Sequence, residues 1–346
     1  MELLVDFLIG FLKALIVLFL VILPGASGAV YFERRIAAWI QMRIGPNRVG
    51  PYGLLQPIAD VIKLIFKEDI IPAAADKRFH FLAPLISITI TVAVFAVIPF
   101  GHYVVINGEP VYLGVAPNVH VGILYVLAMT SMGVYGLTLA GWASNNKYSL
   151  LGGLRSSAQM ISYELAMGLS IVALLMVTGT PNLMEIVEQQ AGWRWNVLYQ
   201  PLGFLIFLVA AFAETNRTPF DLPEAEPELV GGYHTEYTGM KFGMFFLAEY
   251  GNVIAASAMM TTLFFGGWQV PFLPELLGLQ EGSVALALLQ VASFTIKVAI
   301  FVFFFIWVRW TVPRFRYDQL MRLGWKVLFP LSLANVLITG LVMLIN

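Results

Sequence analysis

The chain has no cysteine among its 346 residues. That absence excludes disulfides, thiolate nucleophiles and the usual thiolate cage of an iron–sulfur cluster or structural zinc. Histidine is nearly as scarce. His80, His102, His120 and His234 lie far apart without ligand spacing, and each reads as an ordinary interfacial residue. The glycines form no G-x-G-x-x-G or Walker pattern after a strand, so a nucleotide-binding loop is excluded too. Charge is the last shortage: Asp, Glu, Lys and Arg make up 12% of the chain, where soluble domains carry about a quarter. The net charge of −1 points to no class of partner.

What fills the space is hydrocarbon. Hydrophobic residues reach 59% and the mean hydropathy is +0.80, which places the chain among polytopic membrane proteins. A helix crossing the hydrocarbon layer needs about 20 apolar residues. Eight stretches meet or approach that length: 7–30, 80–100, 119–142, 157–178, 199–214, 242–265, 286–308 and 327–345. The expected fold is an all-α integral membrane protein, a single membrane domain over 1–346 with eight transmembrane helices. No basic n-region with a cleavage site precedes the first stretch, so it is expected to stay as a span.

Of the 20 Lys and Arg residues, 17 fall in the first, third, fifth and seventh connections, and Arg194 alone in the even ones. The positive-inside rule then puts the odd connections in the cytoplasm and both termini on the outer side. The first connection contains a Gly/Pro/Asn-dense turn at 42–53. It continues into an expected amphipathic surface helix over 54–67, with Leu54, Ile58, Val61, Ile62 and Ile65 at helical spacing and Asp60, Lys63 and Lys67 opposite.

The segment 214–241, ETNRTPFDLPEAEPELVGGYHTEYTGMK, gathers the charge that the rest avoids. Glu214, Asp221, Glu224, Glu226, Glu228 and Glu236 face only Arg217 and Lys241, a local balance of −4. Its Thr, Pro, Phe and Gly–Gly–Tyr content suits a folded segment better than a flexible acidic tail. Glu164 and Glu249 each sit about eight residues inside their spans from the cytoplasmic end, roughly 12 Å deep at 1.5 Å per residue. Glu214 closes the fifth span on the same side. Lys297 lies near mid-membrane and Lys13 about two turns in from the outside. A mid-bilayer charge costs about 2.5–3.5 kcal/mol on insertion scales, so these groups face a bundle interior or a wet cavity. Internal ion pairing and a path for protons both satisfy that requirement. For Lys13 a third option exists, because its stem reaches back to the headgroups.

These positions describe a cytoplasmic-side cavity between an Arg-rich first connection and a Glu-rich fifth, with carboxylates leading into the bilayer. Crowded or desolvated carboxylates exchange protons near neutral pH. The chain reads as a proton-handling protein without a redox centre, so any electrons come from another subunit. A stand-alone proton or cation transporter would place charges similarly, but such proteins usually show repeated halves, and no repeat is visible.

The run Glu33-Arg34-Arg35, then QMRIGPNRVGPYGLLQPIADVIKLIFKED (41–69), GWASNNKYSLLGGLRSSAQMISYE (141–164), the segment 214–250, FFGGW (264–268) and RFRYDQLMRLGWK (314–326) resemble the H subunit of proton-pumping NADH:quinone oxidoreductase, respiratory complex I. The resemblance covers nearly the whole chain in order. It implies a quinone entry portal and the membrane half of a quinone-reduction chamber, coupled to proton translocation. It further implies quinone as substrate, no cofactor held in this chain, and NADH, FMN and iron–sulfur clusters in partners. Those partners are hydrophilic-arm subunits, small membrane subunits and antiporter-like subunits, in a bacterial cytoplasmic membrane; lipid and quinone are expected contacts and nucleic acid is not. The equivalent subunit of a membrane-bound hydrogenase ranks behind this, because the quinone-channel motifs are intact.

Carried over by position, the resemblance assigns Arg34, Arg35, Trp39, Asp60, Lys63, Phe66, Arg217, Asp221, Glu224, Glu226 and Glu228 to the quinone channel and acidic loop. It assigns Glu164, Glu214 and Glu249 to a proton path, to which the mid-membrane position adds Lys297. Trp39, Phe66 and Tyr52 would suit an isoprenoid tail or serve as interfacial anchors. Two positions depart from the family pattern. Pro227 removes a backbone donor from the acidic loop. Ser131, Met132 and Gly133 precede Val134-Tyr135-Gly136 where several relatives carry a carboxylate.

Overall fold

The structure, a computed structural model, describes residues 2–106, 108–222, 230–271 and 280–345, with side chains from residue 8 onward. Pro227 and the acidic-loop residues Glu224, Glu226 and Glu228 lie outside the described residues.

The chain opens with α1 (Glu2–Val17), which runs through a π turn at Leu18–Ile22 into α2 (Leu23–Ile40) without a break. After the first connection, α3 (Gln56–Phe66) starts on Pro57 and lies against α2 and the long helix following the acidic segment. Four of its apolar residues, Ile58, Val61, Ile62 and Ile65, are exposed. That fits a helix at the membrane surface, with its apolar stripe left for lipid or a partner. Helix α4 (Lys77–Val94) is capped by Asp76, whose carboxylate accepts from the Arg78 and Phe79 backbone N–H groups at 3.0 and 3.4 Å. A two-stranded hairpin, β1 (Tyr103–Ile106) and β2 (Glu109–Tyr112), pairs Tyr103 with Tyr112 in the second connection.

Helices α5 (Gly122–Ala143) and α6 (Lys147–Thr178) form an antiparallel pair. At 32 residues α6 is about 48 Å long, longer than a hydrocarbon layer of about 30 Å is thick. Short α7 (Leu183–Gln189) and α8 (Asn196–Tyr199) lead to α9 (Pro201–Glu214), and α10 (Gly239–Phe264) follows the acidic segment. Then come α11 (Val284–Thr311), α12 (Tyr317–Arg322), a π turn at Leu323–Leu328 and α13 (Phe329–Ile345).

Among the described residues, seven helical runs are long and apolar enough to cross a membrane. They coincide with seven of the eight expected spans. The eighth, α9, has 14 residues, about 21 Å against a hydrocarbon thickness of about 30 Å. It is wholly apolar up to Glu214 and packs between α6 and α10, so its shortness leaves Glu214 inside the bundle. The main core runs through α6, α9, α10 and α11 around fully buried Tyr163, Phe264 and Trp268.

Candidate functional site: a buried charge cluster and a polar cavity

Four separate elements bring charge to one point. On α2, Ala29, Glu33, Ile36 and Ala37 share a helix face and all are buried. The neighbouring Arg34 and Arg35 turn away. Glu33, only 6% exposed, accepts from Arg217 Nη1 at 3.0 Å, Arg309 Nη1 at 2.6 Å and the Tyr250 hydroxyl at 2.9 Å. Arg217 Nε lies 2.8 Å from Glu249 Oε1, and its guanidinium stacks 4.2 Å from the centre of the Tyr250 ring. Two arginines thus face two glutamates, with a phenol closing the gap.

Buried ions persist only when paired and hydrogen-bonded, and here every ion has an opposite neighbour. Burial works against the Arg217 charge, but the Glu249 and Glu33 carboxylates outweigh it and push the guanidinium above the ordinary arginine range. The residues before and after Arg217 hold it in place. Gln159 on α6 donates to the carbonyls of Ala213 and Phe220, both at 2.7 Å, and the Phe220 N–H bonds the Arg217 carbonyl at 2.8 Å. A close approach supports the far end of the acidic segment. A Cβ on Gly152 would come within 2.8 Å of the Gly232 Cα, so α6 and the 232–234 turn meet only because both positions are glycine. In that turn burial pushes the His234 imidazole down to about 4, leaving it neutral at pH 7.

Beyond Glu249 lies a cavity of about 80 Å³ that Glu214 also lines, together with Ser87, Thr130, Asn216 and Asn252. That is room for several waters, since one needs roughly 10–15 Å³. Glu214 is hydrogen-bonded by Thr130, and Glu164 accepts from the Ser131 hydroxyl. Among the described residues no basic side chain pairs with Glu164 or Glu214. The position lacking a carboxylate relative to several family members therefore still carries a polar group in contact with the carboxylate chain. Glu249 and Glu214 thus line one cavity with Thr130, while Glu164 is held by Ser131.

The expected channel residues form a second, exposed group. Arg34 pairs with Asp60 at 2.5 Å, and Gln56 donates to the same carboxylate at 2.9 Å, which ties α2 to α3. Arg35 bonds the Tyr52 carbonyl at 3.1 Å. Trp39 is 70% and Phe66 85% exposed, and Lys63 is exposed between them. Asp221 is buried and bonds Arg314 at 2.8 Å, so the acidic segment draws compensating charge from the chain after α11.

Sequence reasoning misses Glu33 and Arg309. An apolar run ending at residue 30 makes Glu33 look like the start of a loop. The signal lies in Ala29, Ile36 and Ala37 at helical spacing around it. Lys297 has partners of another kind. Its three ammonium protons go to the carbonyls of Phe265, Gly267 and Gln269 at 3.0, 2.9 and 2.8 Å, and it sits over the Trp195 ring. Gly266 and Gly267, with φ of +70° and +49°, make the turn that aims these carbonyls inward. The contacts are those of a clamp on the end of α10, where a cation complements the helix dipole, and none of the carboxylates is among them.

These features describe a multi-pass α-helical membrane protein with a neutralised ion cluster beside a carboxylate-lined cavity. The chain belongs to the NADH dehydrogenase family, whose model matches residues 12–340. It is 60% identical over 323 residues to NADH-quinone oxidoreductase subunit 8 of Rhodothermus marinus, covering 91% of this chain and 92% of that protein. It is also 51% identical over 340 residues to an NADH-quinone oxidoreductase H subunit of Cytophaga hutchinsonii, covering 98% of each. The NADH-quinone oxidoreductase H subunit of Salinibacter ruber is 55% identical over 326 residues, 92% of each. The resemblance read from the sequence motifs is borne out.

Proposed function

We propose that this chain is the membrane subunit of an NADH:quinone oxidoreductase that admits quinone from the lipid and couples its reduction to proton movement. The exposed Arg34–Asp60 pair, the apolar stripe of α3 and the aromatics Trp39 and Phe66 form the doorway side. Arg35 and Lys63 supply the remaining polar edge of the channel. Asp221, with Glu224, Glu226 and Glu228, forms the acidic floor, completed by hydrophilic-arm subunits that bring the electrons from NADH through FMN and iron–sulfur clusters. The protein sits in a bacterial inner membrane with both termini on the periplasmic side, and passes its signal to small membrane and antiporter-like partners.

The observation that carries this reading is the continuity from Glu33 through Arg217 to Glu249, and then across the cavity to Glu214 and Glu164. Quinone reduction beside Arg217 and the acidic loop takes up protons and changes the local charge. The ion pair to Glu249 is the element that feels that change, because loosening Arg217 frees Glu249 to exchange a proton with the cavity.

The test uses membranes carrying Glu249→Gln or Glu226→Gln. Quinone-dependent NADH oxidation and proton uptake should fall sharply in both, while NADH oxidation by a hydrophilic acceptor continues. Full quinone activity with full pumping in both variants would overturn the assignment.

A further inference from the structure

The polar cavity is not the roomiest one. Between the continuous α1–α2 helix and α11 runs an apolar groove of about 990 Å³. Lys13 and Ile36 both line it, and the 1.5 Å rise per residue separates them by about 35 Å, so the groove extends across a hydrocarbon layer of about 30 Å. Part of its width comes from the small residues that follow the π turn. A Cβ added at Gly28 would meet nothing within 4 Å.

The groove has one cation. Lys13 lies at the end shared with Tyr112 of the hairpin, and among the described residues no acidic side chain pairs with it. The run between Lys13 and Glu33 is uncharged and spans about 30 Å, which sets Lys13 at the headgroup level of the leaflet opposite Glu33. A single unneutralised ammonium at headgroup height, above an empty hydrocarbon slot, complements an amphiphile with an anionic head and a long apolar chain. A quinone offers no anion to Lys13, and a bare apolar helix would bury the charge without a partner.

We propose that this groove binds an anionic phospholipid, with its phosphate on the Lys13 ammonium and the Tyr112 hydroxyl and an acyl chain laid between α2 and α11. The lower end of the groove shares Ala29, Val302 and Ile306 with the small void beside Glu33, Arg217 and Tyr250. The bound chain therefore covers the apolar wall of the ion cluster and keeps water from reaching it sideways. This inference stands apart from the quinone reading, because the groove, its cation and its depth are independent of what the cluster does.

The test places a photoactivatable benzoylphenylalanine at Phe303, which lines the groove, in the assembled complex held in native membranes. After irradiation the adducts on this chain are identified by mass spectrometry. Anionic phospholipid adducts are expected, and Lys13→Ala should lower their yield about fivefold, the effect of one Lys at a charged surface. Gly28→Leu, which fills the groove and leaves Lys13 intact, should lower it as well. That variant keeps the test decisive if the Lys13 substitution fails to assemble. Adducts to quinone, adducts to a partner subunit's peptide, or phospholipid adducts insensitive to both substitutions would overturn the proposal.

Discussion

Four glutamates within the bundle fall into two groups distinguished by what faces them. Glu33 and Glu249 meet guanidinium groups. Glu214, which lines the polar cavity, and Glu164 meet the hydroxyls of Thr130 and Ser131. The first arrangement holds a negative charge in place and joins four elements of the fold. The second leaves the carboxylate able to take up or lose a proton without stranding a buried cation. One residue type is thus charge-paired where arginine is supplied and held by hydroxyls alone where it is withheld.

Breaking the first group should have the largest effect. Glu33→Gln leaves the buried Arg217 and the partly buried Arg309 without their shared counter-ion, and removing one partner of a buried set costs about 3–5 kcal/mol. The expected outcome is loss of assembled complex from the membrane, read by native gel and by thermal unfolding of what remains. Wild-type abundance and stability in this variant would erase the distinction between the two groups. Glu214→Gln sharpens the contrast from the other side. The amide still bonds Thr130 and strands no cation, so stability should stay within about 0.5 kcal/mol. Proton pumping in reconstituted vesicles should drop to background, since the amide cannot exchange a proton. The smallest stability effect belongs to the exposed Arg34–Asp60 pair, where Arg34→Ala should cost no more than about 1 kcal/mol. A selective loss of activity with long-chain quinone in that variant would then report on the doorway and not on folding.

Much of this is legible without coordinates. Eight apolar stretches announce membrane helices, of which seven are long enough to span among the described residues, and periodicity in 54–67 announces a surface helix that the structure describes as Gln56–Phe66. Glu164, Glu214 and Glu249 stand out because charge inside an apolar run has so few places to go. The contacts that the sequence does not show share a cause. Glu33 follows two glycines and precedes two arginines, so it resembles the start of a loop, and only the packing of α2 against α10 and α11 shows that its face is interior. Lys297 looks like part of a path because a lysine in mid-span is conspicuous. Its acceptors are backbone carbonyls from another helix end, which no side-chain pattern records.

By itself the amino-acid sequence determined the membrane class, the helical segments, the family and the inventory of charges that have to be satisfied in a low-dielectric interior. Hydropathy and spacing are local properties, and they need no partner to be read. Only the tertiary structure decided which charge meets which. Glu33 and Arg309 are joined across 276 positions of chain, and the free energy of an ion in hydrocarbon depends on the few ångströms to its counter-ion, not on its place in the sequence.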